Sequence, residues 1–152
     1  MFASSIHGWK LADWKARCIG SSQTITLFKS TKGKTAGGYL HIQWQEEGGL
    51  KKDDKCFLFS LDKKMKLLPM DSSEVTYFDK AVGPVFGLNS LTVQKNEMMN
   101  AVDNCNCNTK GRNENFNVPE DELGNSILTG DGQGNQFKRF ILAALETYVV
   151  TY

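Results

Sequence analysis

The chain has few of the residues from which catalytic sites are commonly built. Only two histidines, His7 and His41, occur among its 152 residues, and neither has an acidic neighbour at a useful spacing. The adjacent acids at residues 46–47 and 53–54 point apart on an extended chain, so neither pair indicates an acid–base dyad. The sequence therefore predicts no catalytic constellation, and we expect a protein that is not an enzyme.

Net charge and long apolar runs are also scarce. The formal net charge is +1, which gives no field to attract nucleic acid or an anionic membrane surface. Apolar runs stay far short of the roughly 20 residues that span a bilayer, and no signal peptide opens the chain. The lysines at residues 31–34 lack the glycine spacing of a phosphate-binding loop. We therefore expect no nucleic acid, no membrane insertion and no nucleotide cofactor.

The four cysteines do not form a metal-binding pattern. Cys18 and Cys56 lie in apolar segments, where free cysteine behaves as a small hydrophobe. Cys105 and Cys107 form a lone C-x-C pair, a poor zinc signature, in the asparagine-rich residues 96–124, which we predict to be a long loop. This usage favours a reduced cytoplasmic protein over a disulfide scaffold. A C-x-C pair in a flexible loop also leaves a thiol–disulfide redox activity open.

Residues 37–61 carry the clearest pattern in the chain. Alternation over residues 39–44 places Leu40, Ile42 and Trp44 on one face, which predicts a half-buried strand. Residues 56–61 are apolar on both faces, which predicts a central strand covered on both sides. The glycine-rich, charged residues 46–55 between them predict a solvated hairpin loop.

The other elements follow from local pattern. Residues 9–18 have apolar side chains at helical spacing, with Trp14 as core packing, which predicts a helix ending near Gly20. Strands are predicted at residues 1–5, 23–30, 74–79 and 91–94. Residues 83–87 predict a tight apolar turn in which both glycines take conformations that a side chain would hinder. From periodicity alone, residues 137–152 predict a helix followed by a strand.

These residues together resemble the TLDc domain family, the module of the oxidation-resistance proteins. The resemblance covers nearly the whole chain. The matching residues are Trp14, Cys18, residues 24–27, Gly37, Gly38, Tyr39, Trp44, Asp53 or Asp54, residues 57–61, Gly83, Pro84, Val85, Phe86, Gly87, residues 128–130, Phe137 and residues 145–149 with Glu146. The chain departs from the family at His7, where an acid is usual, and at residues 88–89, which replace glycines. Residues 95–103 resemble an insertion.

The resemblance implies an α+β, mostly β fold. The expected architecture is a two-sheet antiparallel β-sandwich flanked by short helices, in one domain over residues 1–152 that lacks the family's leading helix. The resemblance also implies that the chain from Phe137 onward ends as a strand, and we follow the family there against the helical period. It makes ten motif residues structural rather than catalytic: Gly37, Gly38, Trp44, Phe57, Phe59, Gly83, Pro84, Phe86, Gly87 and Glu146.

TLDc domains are associated with protection against oxidative damage and with binding the vacuolar proton-pumping ATPase, and they are not established enzymes. The resemblance therefore implies a non-enzymatic module that acts by protein–protein contact, without metal or cofactor. One alternative is an architectural subunit of a cytoskeletal or ciliary assembly. The other alternative is a thiol redox protein that uses Cys105 and Cys107.

Overall fold

The computed structural model describes residues 1–70, 74–88, 90–94, 96–102, 104–107, 115–117, 128 and 139–152. These residues form two helices, α1 (Ser4–His7) and α2 (Leu11–Cys18). The strands that they form are β1 (Phe2–Ala3), β2 (Thr24–Ser30), β3 (Thr35–Leu40), β4 (Gly49–Lys52), β5 (Phe57–Ser60), β6 (Met65–Leu67), β7 (Glu74–Phe78), β8 (Val85–Phe86), β9 (Leu91–Val93), β10 (Cys105–Asn106), β11 (Arg139–Phe140) and β12 (Leu142–Val149). The predicted α+β, mostly β class is confirmed. Neither of the described helices is long and apolar enough to cross a membrane.

Three antiparallel sheets are built from these strands. The largest has six strands in the order β1-β12-β2-β3-β5-β6, and a second has four in the order β11-β10-β9-β8. The third pairs β4 with β7, with Leu50 opposite Tyr77. Part of the predicted solvated loop at residues 46–55 is therefore a strand, and that prediction is wrong over residues 49–52.

The two strands predicted within residues 37–61 are neighbours in the six-stranded sheet. Gly37 lies opposite Phe59 and Tyr39 opposite Phe57. The first strand, β3, covers Thr35–Leu40, so the prediction of a strand over residues 39–44 is wrong after Leu40. The reason lies in Asp53, because its carboxylate accepts hydrogen bonds from the N–H groups of His41, at 2.6 Å, and Ile42, at 3.2 Å. A side chain that takes these donors competes with a strand ladder.

Replacing Asp53 tests whether its carboxylate ends strand β3 at Leu40. Asp53 is 5% exposed, and its carboxylate also accepts the Lys55 N–H at 3.0 Å. An Asp53→Ala chain should lose about 2 kcal/mol of unfolding free energy, because partly buried backbone donors are left without an acceptor. Urea denaturation measures this loss. Asp54→Ala, at the exposed neighbouring carboxylate, should change stability by less than about 0.5 kcal/mol. Equal losses in the two variants would contradict this role of the Asp53 carboxylate.

The core lies between the six-stranded and the four-stranded sheet. Phe28 of β2 contacts Phe86 and Phe140 of the second sheet, with both ring-centroid distances at 6.3 Å. Trp44 packs edge-on against Trp14 of α2 at 5.3 Å and against Phe86 at 5.7 Å. Trp14 is 1% exposed, as expected for core packing. The aromatic side chains thus join α2 and both sheets in one hydrophobic cluster.

The C-terminal segment is a strand, and the helical periodicity predicted for it is wrong. β12 pairs with β1 on one side and with β2 on the other. A register shift between Leu142 and Ala144 interrupts the pairing with β2. Because of this bulge, Leu142 and Leu145 are both buried although they are three residues apart, and that spacing resembles the period of a helix. The strand implied by the family resemblance is confirmed, while Phe137 lies outside the described residues.

The remaining local predictions are mostly confirmed. Helix α2 and strands β2, β7 and β9 lie where the patterns predict them. Strand β1 ends at Ala3, so the prediction of a strand is wrong at residues 4–5, where α1 begins. Residues 83–87 contain the short strand β8, followed by Gly87 in the left-handed region at φ +67°. At Gly83 a side chain would be hindered by a close contact rather than by the backbone conformation, since a Cβ added there would lie 2.9 Å from the Cβ of Val93. The predicted loop at residues 96–124 contains strand β10, while residues 108–114 and 118–124 lie outside the described part.

Candidate functional site

The ten motif residues divide between the core and the surface. Gly38, Trp44 and Phe86 meet in the core, where a Cβ added to Gly38 would lie 2.5 Å from the Phe86 ring. Gly83, Pro84 and Gly87 flank β8 and are also buried. The absence of a side chain at position 38 therefore lets the two sheets approach each other at Phe86.

The other four motif residues lie on the opposite face of the six-stranded sheet, which we call the outer face. Phe57 stacks on Tyr39 with ring centroids 5.2 Å apart, and the Phe59 ring lies over Gly37. Phe57, Phe59 and Glu146 are only partly buried. The prediction that residues 56–61 form a strand covered on both sides is therefore wrong, because β5 buries Leu58 on one side and leaves aromatic side chains partly exposed on the other.

A second surface feature is a groove of about 920 Å³ beside α2, which we call the α2 groove. It has an apolar floor and a charged rim, and its lining residues are Lys10, Leu11, Ala12, Lys15, Ala16, Ile19, Glu46, Lys80, Ala81, Asn96, Glu97 and Met98. Helix α2 buries Leu11, Trp14 and Cys18 against the core. Because helical neighbours lie three and four residues apart, Ala12 and Ala16 share the face that borders the groove.

The walls of the α2 groove come from distant parts of the chain. On one side, the Leu11 N–H donates to the Glu97 carbonyl at 2.8 Å, and the Met99 N–H donates to the Trp9 carbonyl at 2.9 Å. These bonds hold residues 97–99 along the start of α2. On the other side, the Lys15 Nζ donates to the Asp79 carbonyl at 2.8 Å, which holds the residues after β7 against the helix.

Charges of both signs surround the groove. Burial lowers the pKa of Lys15, and the nearby carboxylates of Glu46 and Asp79 partly oppose that shift. Lys80 forms an exposed ion pair with Glu47 at 3.4 Å. Charged side chains of both signs thus form the rim of an apolar floor. Sequence patterns miss this groove, although the outward pair Ala12 and Ala16 on an amphipathic helix is a signal that was available.

The two histidines take part in local contacts. The Nδ1 atom of His7 accepts a hydrogen bond from the Ala3 N–H at 3.0 Å, which closes the first turn of α1. The Nδ1 atom of His41 lies 3.2 Å from the Tyr39 hydroxyl at the rim of the outer face. Among the described residues, no group of three or more His, Cys, Asp or Glu side chains is placed to hold a metal ion.

All four cysteines are buried, and no disulfide joins any of them. Cys105 and Cys107 are 0% exposed, and Cys105 lies in β10 of the four-stranded sheet. The prediction that this pair lies in a flexible loop is therefore wrong. Burial raises the pKa of Cys18 to about 11 and also raises the pKa of Cys56 and of Cys105. Since the thiolate is the reactive form, these environments disfavour thiol chemistry.

Comparison with known proteins identifies the family. The chain is similar to the MTOR-associated protein MEAK7 of Danio rerio, with 30% identity over 67 residues, and to that of Gallus gallus, with 28% identity over 61 residues. These segments cover 44% and 40% of this chain but only 15% and 13% of the two relatives. The TLDc domain model matches residues 1–150. This chain therefore belongs to the TLDc domain family.

Proposed function

We propose that this chain is a non-enzymatic interaction module and that the α2 groove receives a helix of a partner protein. The lining of the groove is the observation that carries the proposal, since an apolar floor lies within a rim of both charges. Protein interfaces commonly combine an apolar centre with a polar, solvent-accessible rim.

The floor of the groove favours a helix as the occupant. Ala12 and Ala16 lie one turn apart and present almost no side-chain bulk, so a second helix axis can approach to about 8–10 Å. Ile19 and the 41% exposed Met98 supply apolar contacts beside them. A partner helix would dock with apolar residues at i, i+3, i+4 and i+7, the usual spacing of helix-in-groove recognition.

The rim determines how that helix is oriented. Lys10 and Glu97 lie at the start of α2, where Met98 forms a backbone bridge to Lys10. Lys15 lies further along the helix, within electrostatic reach of Glu46. Because each end of the groove offers both signs, the partner helix should carry mixed charges beside its apolar stripe. Such rim contacts govern orientation and association rate more than affinity.

The first partner to test is a subunit of the vacuolar proton-pumping ATPase, which the family resemblance implies. The second is an mTOR-containing assembly, since the two relatives are named for association with mTOR. Any protection against oxidative damage would then follow from such contacts rather than from thiol chemistry, because all four thiols are buried. Buried, unbridged thiols also support a reducing, cytoplasmic location.

An Ala16→Arg substitution tests the groove. The long cationic side chain would fill the space above α2, so binding to the correct partner should weaken at least about tenfold. Pull-down assays with purified ATPase subunits, and separately with mTOR assemblies, measure the effect. The matched control is Ala143→Arg at another exposed alanine, on β12, and it should bind as the unsubstituted chain does.

Two results would contradict the proposal. If the folded, unsubstituted chain binds neither set of proteins, both partner assignments are wrong. If it binds and Ala16→Arg binds equally well, the α2 groove is not the contact surface. Thermal unfolding of both arginine variants shows whether each retains the fold, so a loss of binding can be separated from a loss of structure.

A further inference from the structure

The outer face carries a row of side chains that crosses five strands. Strand pairing places Glu146, Leu27, Gly37, Phe59 and Lys66 opposite one another in that order, from β12 to β6. Directly paired residues point to the same face of a sheet, and four strand spacings make the row about 19 Å wide. Strand pairing continues the row from Glu146 to Ala3 of β1. Over the five strands from β12 to β6, the row has a negative charge at one end and a positive charge at the other, with an apolar residue on each side of a central glycine.

A second row lies beside the first and is more aromatic. Pairing places Tyr148, Ile25, Tyr39 and Phe57 in order across four strands. The Lys66 Nζ lies 4.0 Å from the centroid of the Phe57 ring, in a cation–π contact that joins the two rows. Tyr148, Ile25 and Phe57 are only partly buried. Contiguous apolar surface of this kind is typical of docking sites.

We propose that the occupant of the outer face is the outer face of a second copy of this chain. The pairing uses a twofold axis that runs parallel to the strands and passes over Gly37. Rotation about that axis reverses the order of each row. Glu146 of each copy then faces Lys66 of the other. Leu27 and Phe59, whose ring lies over Gly37, pack against the same two side chains of the other copy around the axis.

The charge pattern is what selects a second copy over an unrelated partner. An isologous contact needs a surface that complements itself after a twofold rotation, and the first row meets this condition over the five strands from β12 to β6, where Glu146 and Lys66 exchange places. Tyr39 lies on the same strand as Gly37, so in the second row Tyr39 would face Tyr39 and Ile25 would face Phe57. Two sheets packed face to face stand about 10 Å apart, a distance that these large side chains can fill.

The dimer should be weak, because two short rows bury less than the roughly 800 Å² per partner of a standard interface. Sedimentation velocity over a concentration series that reaches several hundred micromolar should show reversible dimerisation. Lys66→Glu and Glu146→Lys each place like charges across the axis twice in every dimer. Each variant alone should therefore weaken self-association about tenfold.

Recombining the two substitutions gives the sharpest test. The double variant Lys66→Glu/Glu146→Lys should dimerise again, because opposite charges face each other once more. An equimolar mixture of the two single variants should form heterodimers for the same reason, and native mass spectrometry separates these from homodimers when one variant is labelled with nitrogen-15. Lys52→Glu is the matched control, since this exposed lysine lies on β4 of the two-stranded sheet, and it should dimerise as the unsubstituted chain does.

Three results would overturn the self-pairing: a chain that stays monomeric at every concentration, a dimer that neither single reversal weakens, or a folded double variant that remains monomeric. Circular dichroism establishes that each variant is folded, which is needed because Glu146→Lys also removes a hydrogen bond from Tyr148. The α2 groove plays no part in this contact. An Ala16→Arg chain should therefore keep its self-association while losing its partner, so each proposal can fail without the other.

Discussion

A Trp44→Ala chain should lose about 3–5 kcal/mol of unfolding free energy, a large part of the 5–15 kcal/mol that stabilises a typical domain. Trp44 is 2% exposed and packs edge-on against Trp14, Phe78 and Phe86, with ring centroids 5.3, 5.8 and 5.7 Å away. Its removal leaves a cavity among α2, β7 and β8. The indole N–H also donates to the buried Thr24 hydroxyl at 2.8 Å, and that hydroxyl loses its donor.

Urea denaturation followed by far-UV circular dichroism measures the loss. Trp44→Phe is the control that separates packing from hydrogen bonding, because it keeps an aromatic ring and loses the N–H. That variant should lose about 1–2 kcal/mol. Trp9→Ala, the same truncation at a partly buried tryptophan, should lose less unfolding free energy. If Trp44→Ala proved no less stable than Trp9→Ala, the central place of Trp44 in the core would be wrong.

The burial of Trp44 could be predicted from the sequence, but its position outside a strand could not. Alternation identified Leu40 and Trp44 as members of one buried face, and both are buried. The strand nevertheless ends at Leu40, because the carboxylate of Asp53 binds the N–H groups of His41 and Ile42. That acid lies more than ten residues along the chain, and a local period contains no information about it.

The C-terminal strand shows a second limit of local pattern. The helical spacing of Phe140, Ile141 and Leu145 predicts a helix only if the backbone geometry is regular from one residue to the next. The bulge between Leu142 and Ala144 breaks that rule, and its position depends on pairing with β2 at the other end of the chain. Whole-chain resemblance to the TLDc family identified the strand correctly, because it compares the spacing of many motifs rather than one period.

The two candidate surfaces were predictable only in part. The amphipathic pattern of α2 shows which side chains face outward, but the walls of the α2 groove come from Lys80 and Glu97 in distant segments. Phe57 and Phe59 were recognisable as strand residues. The presence of an apolar residue in a strand does not show whether another part of the protein covers its side chain. Here the side chains on the outer face of β5 remain partly exposed. The rows that carry the proposed self-pairing need the register of five strands, which no local pattern supplies.

A Gly38→Ala chain should lose about 3 kcal/mol of unfolding free energy, because the added methyl group overpacks the core. Three atoms of the Phe86 ring lie 2.5, 2.5 and 2.7 Å from the position of the new Cβ. The ring is 0% exposed and is held between Trp44 and Phe28. It therefore has no room to move away, and the two sheets must separate instead.

A double-mutant cycle identifies that collision as the cause. Phe86→Leu alone removes ring atoms and should destabilise the chain, but in the Gly38→Ala background the smaller side chain leaves room for the methyl group. The double variant should therefore be more stable than the sum of the two single losses predicts, by about 1–2 kcal/mol. Additive losses in urea denaturation would mean that the alanine acts through the backbone of β3. Gly38 would then not be the residue that lets the two sheets meet at Phe86.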